Sequence, residues 1–180
     1  MILKMESGSA TLDNILEAGK VFTCAELVYV QRKIVEGFAI LQENGIANRD
    51  VKPQNIVLVE DPLNEARFFY KITDFGIGCQ LEKNVFSIPS SSIMGITKTY
   101  AAPEVLRVLE ENFNTEDEYN PFFADVYSLG LLTLKMINRK WGKKQLKIGW
   151  LSMKEKLEGY EPILELIKGV RGKSQKSMEL

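Results

Sequence analysis

The sequence contains no histidine and only two cysteines, Cys24 and Cys79. A zinc site of the usual Cys and His spacing is therefore excluded, and two free, buried thiols in a reducing compartment are expected. No sign of charge dominates: the formal net charge is −1, and the basic stretch from Lys140 to Lys147 is balanced by acids elsewhere. No broad positive surface for nucleic acid follows from that balance. Long apolar runs are also missing, since nothing approaches the roughly 18 residues of a membrane span, and the opening M-I-L-K-M-E-S-G-S-A lacks the pattern of a secretory signal. The expectation is a soluble, intracellular, cytoplasmic protein without membrane contact. Internal repeats and low-complexity tracts are absent as well. What is present is apolar material, 45% of 180 residues, enough for one core.

The order of elements follows from periodicity and turn chemistry. Residues 1–6 read as a short strand, Ser7-Gly8-Ser9 as a turn, and the stretch near Leu12 to Leu16 as a short helix. Thr23 and Glu26 have capping-box spacing, and Leu27, Val30, Ile34, Phe38 and Leu41 recur at helical steps, which predicts one amphipathic helix from about 24 to 43 ending at Asn44-Gly45. I-V-L-V at 56–59 and R-F-F-Y-K-I-T at 67–73 read as an antiparallel hairpin about a turn at Asp61-Pro62 and Asn64. From Gly76 to Thr99 the pattern dissolves, predicting a long mobile loop. Pro103 suits a helix start, and residues 125–138 are apolar on most sides, which predicts a buried helix. Beyond about 140, one or two helices around Pro162 and a frayed end are expected. The acidic run 110–119 reads as a solvated loop or a docking surface.

Chemistry concentrates beside the hairpin. The start of its first strand and the end of its second lie side by side, so Asp50, Lys52 and Asn55 should meet Asp74 at one sheet edge. A carboxylate to orient a hydroxyl, a cation to steady phosphoryl oxygens and oxygen ligands for magnesium are the parts that phosphoryl transfer needs. The plain alternative for each residue is a polar turn residue bonded to backbone.

The motifs resemble those of the eukaryotic protein kinase family, serine/threonine type. N-R-D-V-K-P-Q-N at 48–55 looks like its catalytic loop, I-T-D-F-G at 72–76 like its magnesium motif, A-A-P-E at 101–104 like the end of its activation segment, and D-V-Y-S-L-G at 125–130 like its central buried helix. Four motifs in order are specific where each alone would be weak. The resemblance implies a mainly α fold with a small β-hairpin, the large C-terminal lobe of a kinase, spanning residues 1–180 with a hinge at 1–9, a catalytic loop at 48–55 and an activation segment at 74–104. It implies ATP and Mg2+ as cofactors and a protein as substrate, and it leaves oligomeric state open.

Carried over by residue, Asp50 accepts or orients the substrate hydroxyl proton, Lys52 steadies the γ-phosphoryl, Asn55 holds one magnesium and Asp74 bridges both. Lys52-Pro53 and Thr97, which in the family bonds to the catalytic Asp and Lys, point to serine/threonine specificity. Met5 resembles a gatekeeper, Glu6 and Ser7 hinge contacts, and Leu58 the residue beneath adenine, although an edge strand and a core leucine account for the same residues. Arg49 resembles the arginine that pairs with an activation-loop phosphate, for which Ser87, Ser90, Ser91, Ser92 and Thr99 are candidates. Glu104 is expected to pair with a distant arginine, for which Arg171 is a candidate, and Asp125 to hold the catalytic-loop backbone.

Two departures matter. Asn48 stands where the family has histidine, and an amide replaces the ring's hydrogen bond but offers Phe75 less apolar surface. The 180 residues also contain no glycine-rich loop and no small-lobe strand with a phosphate-gripping lysine. The expected function is a serine/threonine kinase domain that is inactive as this polypeptide alone. The alternative is a non-catalytic, kinase-like interaction module.

Overall fold

Helix α2 (Cys24–Glu43) organises the molecule, because its sequence fixes both its start and its buried face. Thr23 Oγ1 accepts from the Glu26 amide at 3.2 Å while Glu26 Oε2 accepts from the Thr23 amide at 2.8 Å, so two otherwise orphaned donors are satisfied reciprocally. Leu27, Val30, Ile34, Val35 and Phe38 then point to one side and are buried. The computed structural model describes residues 7–61, 64–110 and 117–137. The expected strand at 1–6 and the expected helices beyond about 140 lie outside them.

Before α2, strand β1 (Ala10–Thr11) leads into α1 (Leu12–Glu17), capped by a second reciprocal box between Thr11 and Asn14. After it come β2 (Ile46–Ala47), a 3-10 turn at Pro53–Asn55, and the hairpin strands β3 (Ile56–Asp61) and β4 (Asn64–Ile72). The hairpin is antiparallel with Ile56 opposite Ile72, and β1 adds to its other edge with Ala10 opposite Leu58. Strand β5 (Cys79–Gln80) pairs with β2, and β6 (Ile88–Pro89) pairs with β7 (Glu118–Tyr119). Helices α3 (Pro103–Glu110) and α4 (Pro121–Ile137) complete the described chain. No helix among the described residues is long and apolar enough to cross a membrane.

The main core joins Leu12 and Leu16 of α1, the apolar face of α2, Ile56 and Leu58 of β3, and Leu129, Leu132 and Met136 of α4. Val51, in the middle of the proposed catalytic loop, belongs to the same cluster. The loop is thus nailed to the core at its centre.

Three expectations need correction. Cys24 is exposed rather than buried, because it occupies the first turn of α2 away from the core stripe, and Cys79 is only partly buried. The 76–99 stretch is not a loop without packed elements: it supplies β5, β6 and a 3-10 turn at Ser90–Ser92, with Ser90 and Ile93 buried. Two-residue strands are too short to show an alternation. The buried helix starts at Pro121 and not at 125, since Asn120 Oδ1 accepts from the amides of Phe122 and Phe123 at 3.0 and 3.1 Å. Asn before Pro was the signal for that start.

Gly45 ends α2 with a φ of +71°, and a Cβ there would lie 2.6 Å from the Leu81 carbonyl oxygen. Both the conformation and the space favour glycine. Gly45→Ala is expected to lower unfolding stability by roughly 1–3 kcal/mol in a urea titration, with unchanged helix content by circular dichroism.

Candidate functional site

The site begins with one buried carboxylate. Asp125, in the first half of α4, accepts from the amide of Asn48 at 2.7 Å through Oδ2 and from that of Arg49 at 2.8 Å through Oδ1. Two consecutive amides bound to one side chain force a sharp reversal, and Arg49 takes a left-handed φ of 68°. Burial pushes the Asp125 carboxyl up to about 7, against the two amides and the Arg49 guanidinium, which pull it down.

Beyond that reversal the polar side chains close a ring. Lys52 Nζ is ion-paired to Asp50 Oδ2 and donates to Thr97 Oγ1 at 3.0 Å, and the Thr97 hydroxyl donates to Asp50 Oδ1 at 2.7 Å. Asn55, in the 3-10 turn that Pro53 starts, donates from Nδ2 to the Asp50 carbonyl at 3.0 Å and to Asp50 Oδ2 at 3.1 Å. Asp50 and Asn55 are buried and Lys52 partly so.

Asp74 joins this ring through backbone and amides. The Thr73 amide donates to the Asn55 carbonyl at 2.9 Å, and Asn48 Nδ2 donates to the Asp74 carbonyl at 3.2 Å while its Oδ1 accepts from the Asp50 amide at 3.2 Å. Asn48 is fully buried and links the two acidic segments by both ends of one amide. Asp74 itself is exposed, with a φ of 59°, and its Oδ1 accepts from the Gly76 amide at 3.2 Å. Phe75 is also exposed, in keeping with the smaller apolar surface that Asn48 offers it.

Asp50, Lys52 and Asn55 therefore touch one another, and Asp74 is tied to them through Asn48 and Asn55. Thr97 closes the group from the 76–99 stretch. Met5 and Glu6 lie outside the described residues, as do Arg171 and the last charges after 137; Ser7 is exposed, and Leu58 is 2% exposed within the main core. A ligand could reach Leu58 only if its surroundings opened. Arg49 Nη2 donates to the Ser92 carbonyl, and its guanidinium stands 6.0 Å from the centre of the Tyr119 ring. Sequence reasoning missed Asn48 as a two-ended bridge, Tyr119 as the floor under Arg49, and the 2.7 Å bond from Gln54 Nε2 to Asp13 Oδ2. None of these had a signal in spacing, because each depends on a partner from a distant segment.

A family model of the protein kinase domain matches residues 1–164. Among curated proteins, the chain is similar to the serine/threonine-protein kinase PTK2 of Candida glabrata, with 30% identity over 143 residues, covering 74% of this chain and 18% of that protein. It is similar to the mouse dual specificity protein kinase TTK at 32% identity, covering 73% of this chain and 15% of the relative. Human calcium/calmodulin-dependent protein kinase type IV matches at 32% identity, with 74% and 24% coverage. The chain spans less than a quarter of the length of these relatives.

Asp125→Asn keeps one acceptor for two amides and should cost about 1–3 kcal/mol of stability, the penalty of a buried unpaired donor. Because the folded carboxyl titrates above its unfolded value, its stabilisation is present below about pH 4 and is lost as pH rises through about 7. Urea titrations should therefore show the wild-type advantage over Asp125→Asn narrowing from pH 5 to pH 8. A widening gap would mean that the amide hydrogen bonds outweigh burial.

Proposed function

Because this chain belongs to the protein kinase family, we propose that it is the large lobe of a protein serine/threonine kinase, with ATP and a divalent metal as cosubstrate and cofactor and a protein hydroxyl as acceptor. The observation that carries the reading is the closed group of Asp50, Lys52, Thr97 and Asn55, with Asp74 tied alongside. Thr97 bonded to both Asp50 and Lys52 supports the serine/threonine choice, and so does the name of the Candida glabrata relative.

The donor set fits a magnesium nucleotide. Asn55 commits its amide nitrogen to Asp50, so its amide oxygen is the atom left for a cation, and Asp74 keeps Oδ2 without a hydrogen bond among the described residues. Magnesium takes one or two protein oxygens and fills its shell with water and phosphate, which is the number these two side chains can offer. Bound Mg2+–ATP would supply the phosphoryl group and offset charge on its oxygens.

The chain's own residues have distinct tasks in this reading. Asp50 has about four acceptor sites on its carboxylate and uses three of them on Lys52, Asn55 and Thr97. The one remaining can accept the proton of a substrate hydroxyl and fix its direction. Lys52, held between Asp50 and Thr97, places a positive charge where the transferring group acquires negative charge. Met5, Glu6, Ser7 and Leu58 remain proposed nucleotide contacts on the strength of the resemblance alone.

The 180 residues lack a glycine-rich loop and its companion lysine. Positioning and electrostatic stabilisation are nearly all of this catalysis, so slow transfer is proposed for this polypeptide alone. A second reading is a kinase-like interaction module that performs no transfer.

Calorimetry separates the two. Magnesium-dependent heat on adding ATP, lost in Asp74→Ala and retained in Asp50→Asn, supports the nucleotide site; no heat from the wild type leaves the module. Where transfer is measurable, Asp50→Asn should slow it by about 10²- to 10⁴-fold, the usual contribution of a positioned base, with little change in nucleotide affinity.

A further inference from the structure

The hairpin strand that leads into Asp74 lies at the edge of its sheet. The three strands run in the order β1-β3-β4, and among the described residues β4 pairs with β3 alone. Its regular part is Phe68 to Ile72, because the register shifts between Glu60, opposite Phe68, and Asp61, opposite Asn64. Thr73 continues that register and donates its amide to the Asn55 carbonyl at 2.9 Å. Bonded and unbonded positions alternate along an antiparallel pair, so Lys71 and Phe69 also bond inward to β3. Ile72, Tyr70 and Phe68 turn their N–H and C=O away from the sheet. The run F-F-Y-K-I contains no proline or glycine, and four of its five residues are aromatic or β-branched, the composition that pairs most readily at an edge.

The side chains of this run divide between two faces. Phe68, Tyr70 and Ile72 pack against the main core. Phe69, 46% exposed, and Lys71, also exposed, occupy the opposite face, across from Val59 and Val57. In the helix layer Tyr29 of α2 is 42% exposed and stands near enough to Tyr70 to oppose ionisation of its phenol. An exposed aromatic thus marks the edge in both layers.

We propose that a second copy of this chain adds to the edge, β4 against β4, antiparallel about a twofold axis at Tyr70. In that register Tyr70 lies opposite the partner's Tyr70 and Phe68 opposite the partner's Ile72, and these outward residues exchange both backbone hydrogen bonds. Phe69 lies opposite the partner's Lys71 in the closer, non-hydrogen-bonded kind of pair, and the axis repeats the contact, so a cation meets an aromatic ring twice. The two three-stranded sheets become one. The contact uses none of the groups proposed above for phosphoryl transfer and does not rest on that reading.

Sedimentation of the full chain over a concentration series reads the association, and amide exchange on the same samples locates it. A dimer is expected, with the amides of Phe68, Tyr70 and Ile72 gaining protection as concentration rises while that of Thr73, bonded within the hairpin, stays unchanged. Phe69→Lys puts a cation opposite the partner's Lys71 without touching the core, and the dimer dissociation constant should rise by about tenfold or more. Phe69→Glu puts an anion there and should leave it unchanged or lower. Amides of α2 report whether each variant is folded. A monomer at every concentration overturns the proposal, whether its edge amides exchange fast, as an open edge does, or slowly, as an edge covered by another segment of this chain does. A dimer weakened equally by both substitutions, or by neither, overturns it too, since another register or another surface then holds the copies together.

Discussion

The arrangement depends on a carboxylate placed inside the protein where charge is expensive. Asp125 leaves water on a helix that is otherwise core, and it stays only because two successive amides of another segment bond to it. That exchange fixes the chain at residues 48 and 49, where no strand or helix would. Val51, buried in the main core two residues on, fixes it again. Between the two anchors the only residue is Asp50, held from both sides as well as by its own hydrogen bonds.

The polar ring then adds direction. Each of its hydrogen bonds contributes roughly 0.5–1.5 kcal/mol net, with larger penalties if one partner is removed from a low-dielectric site. Small neutral groups do much of the linking: the amides of Asn48 and Asn55 and the hydroxyl of Thr97 each bond two ways. Asn48 stands where the kinase family has histidine. It spans from the Asp50 amide to the Asp74 carbonyl, accepting with one end of its amide and donating with the other.

Much of this was legible in the residues. Helix α2 announced itself through Thr23, Glu26 and the spacing of its apolar face, and the β3–β4 hairpin through two apolar runs about a polar turn, because those signals are local. The convergence of Asp50, Lys52, Asn55 and Asp74 followed from hairpin geometry and was reinforced by the family motifs. What was hidden depends on long-range pairing. Strands of two residues such as β5, β6 and β7 carry no period, so the segment from 76 to 99 looked unstructured while being held at several places. The start of α4 was hidden for a different reason: Asn120 and Pro121 form an N-terminal signature that was readable but overlooked beside the stronger apolar run that follows.

The ring joins residues far apart along the chain: Asp50 meets Thr97 across 47 positions, and Asn48 meets Asp125 across 77. Closing such spans costs entropy that grows slowly with length, and the ends must exist before they can meet. During ribosomal synthesis, α2 and the hairpin have all their local partners long before residue 125 is made, yet the loop between them lacks its anchor. The chemistry-bearing part of the molecule is thus among the last to take shape in a nascent chain, and a ribosome stalled before α4 would display neither the whole core nor a working centre.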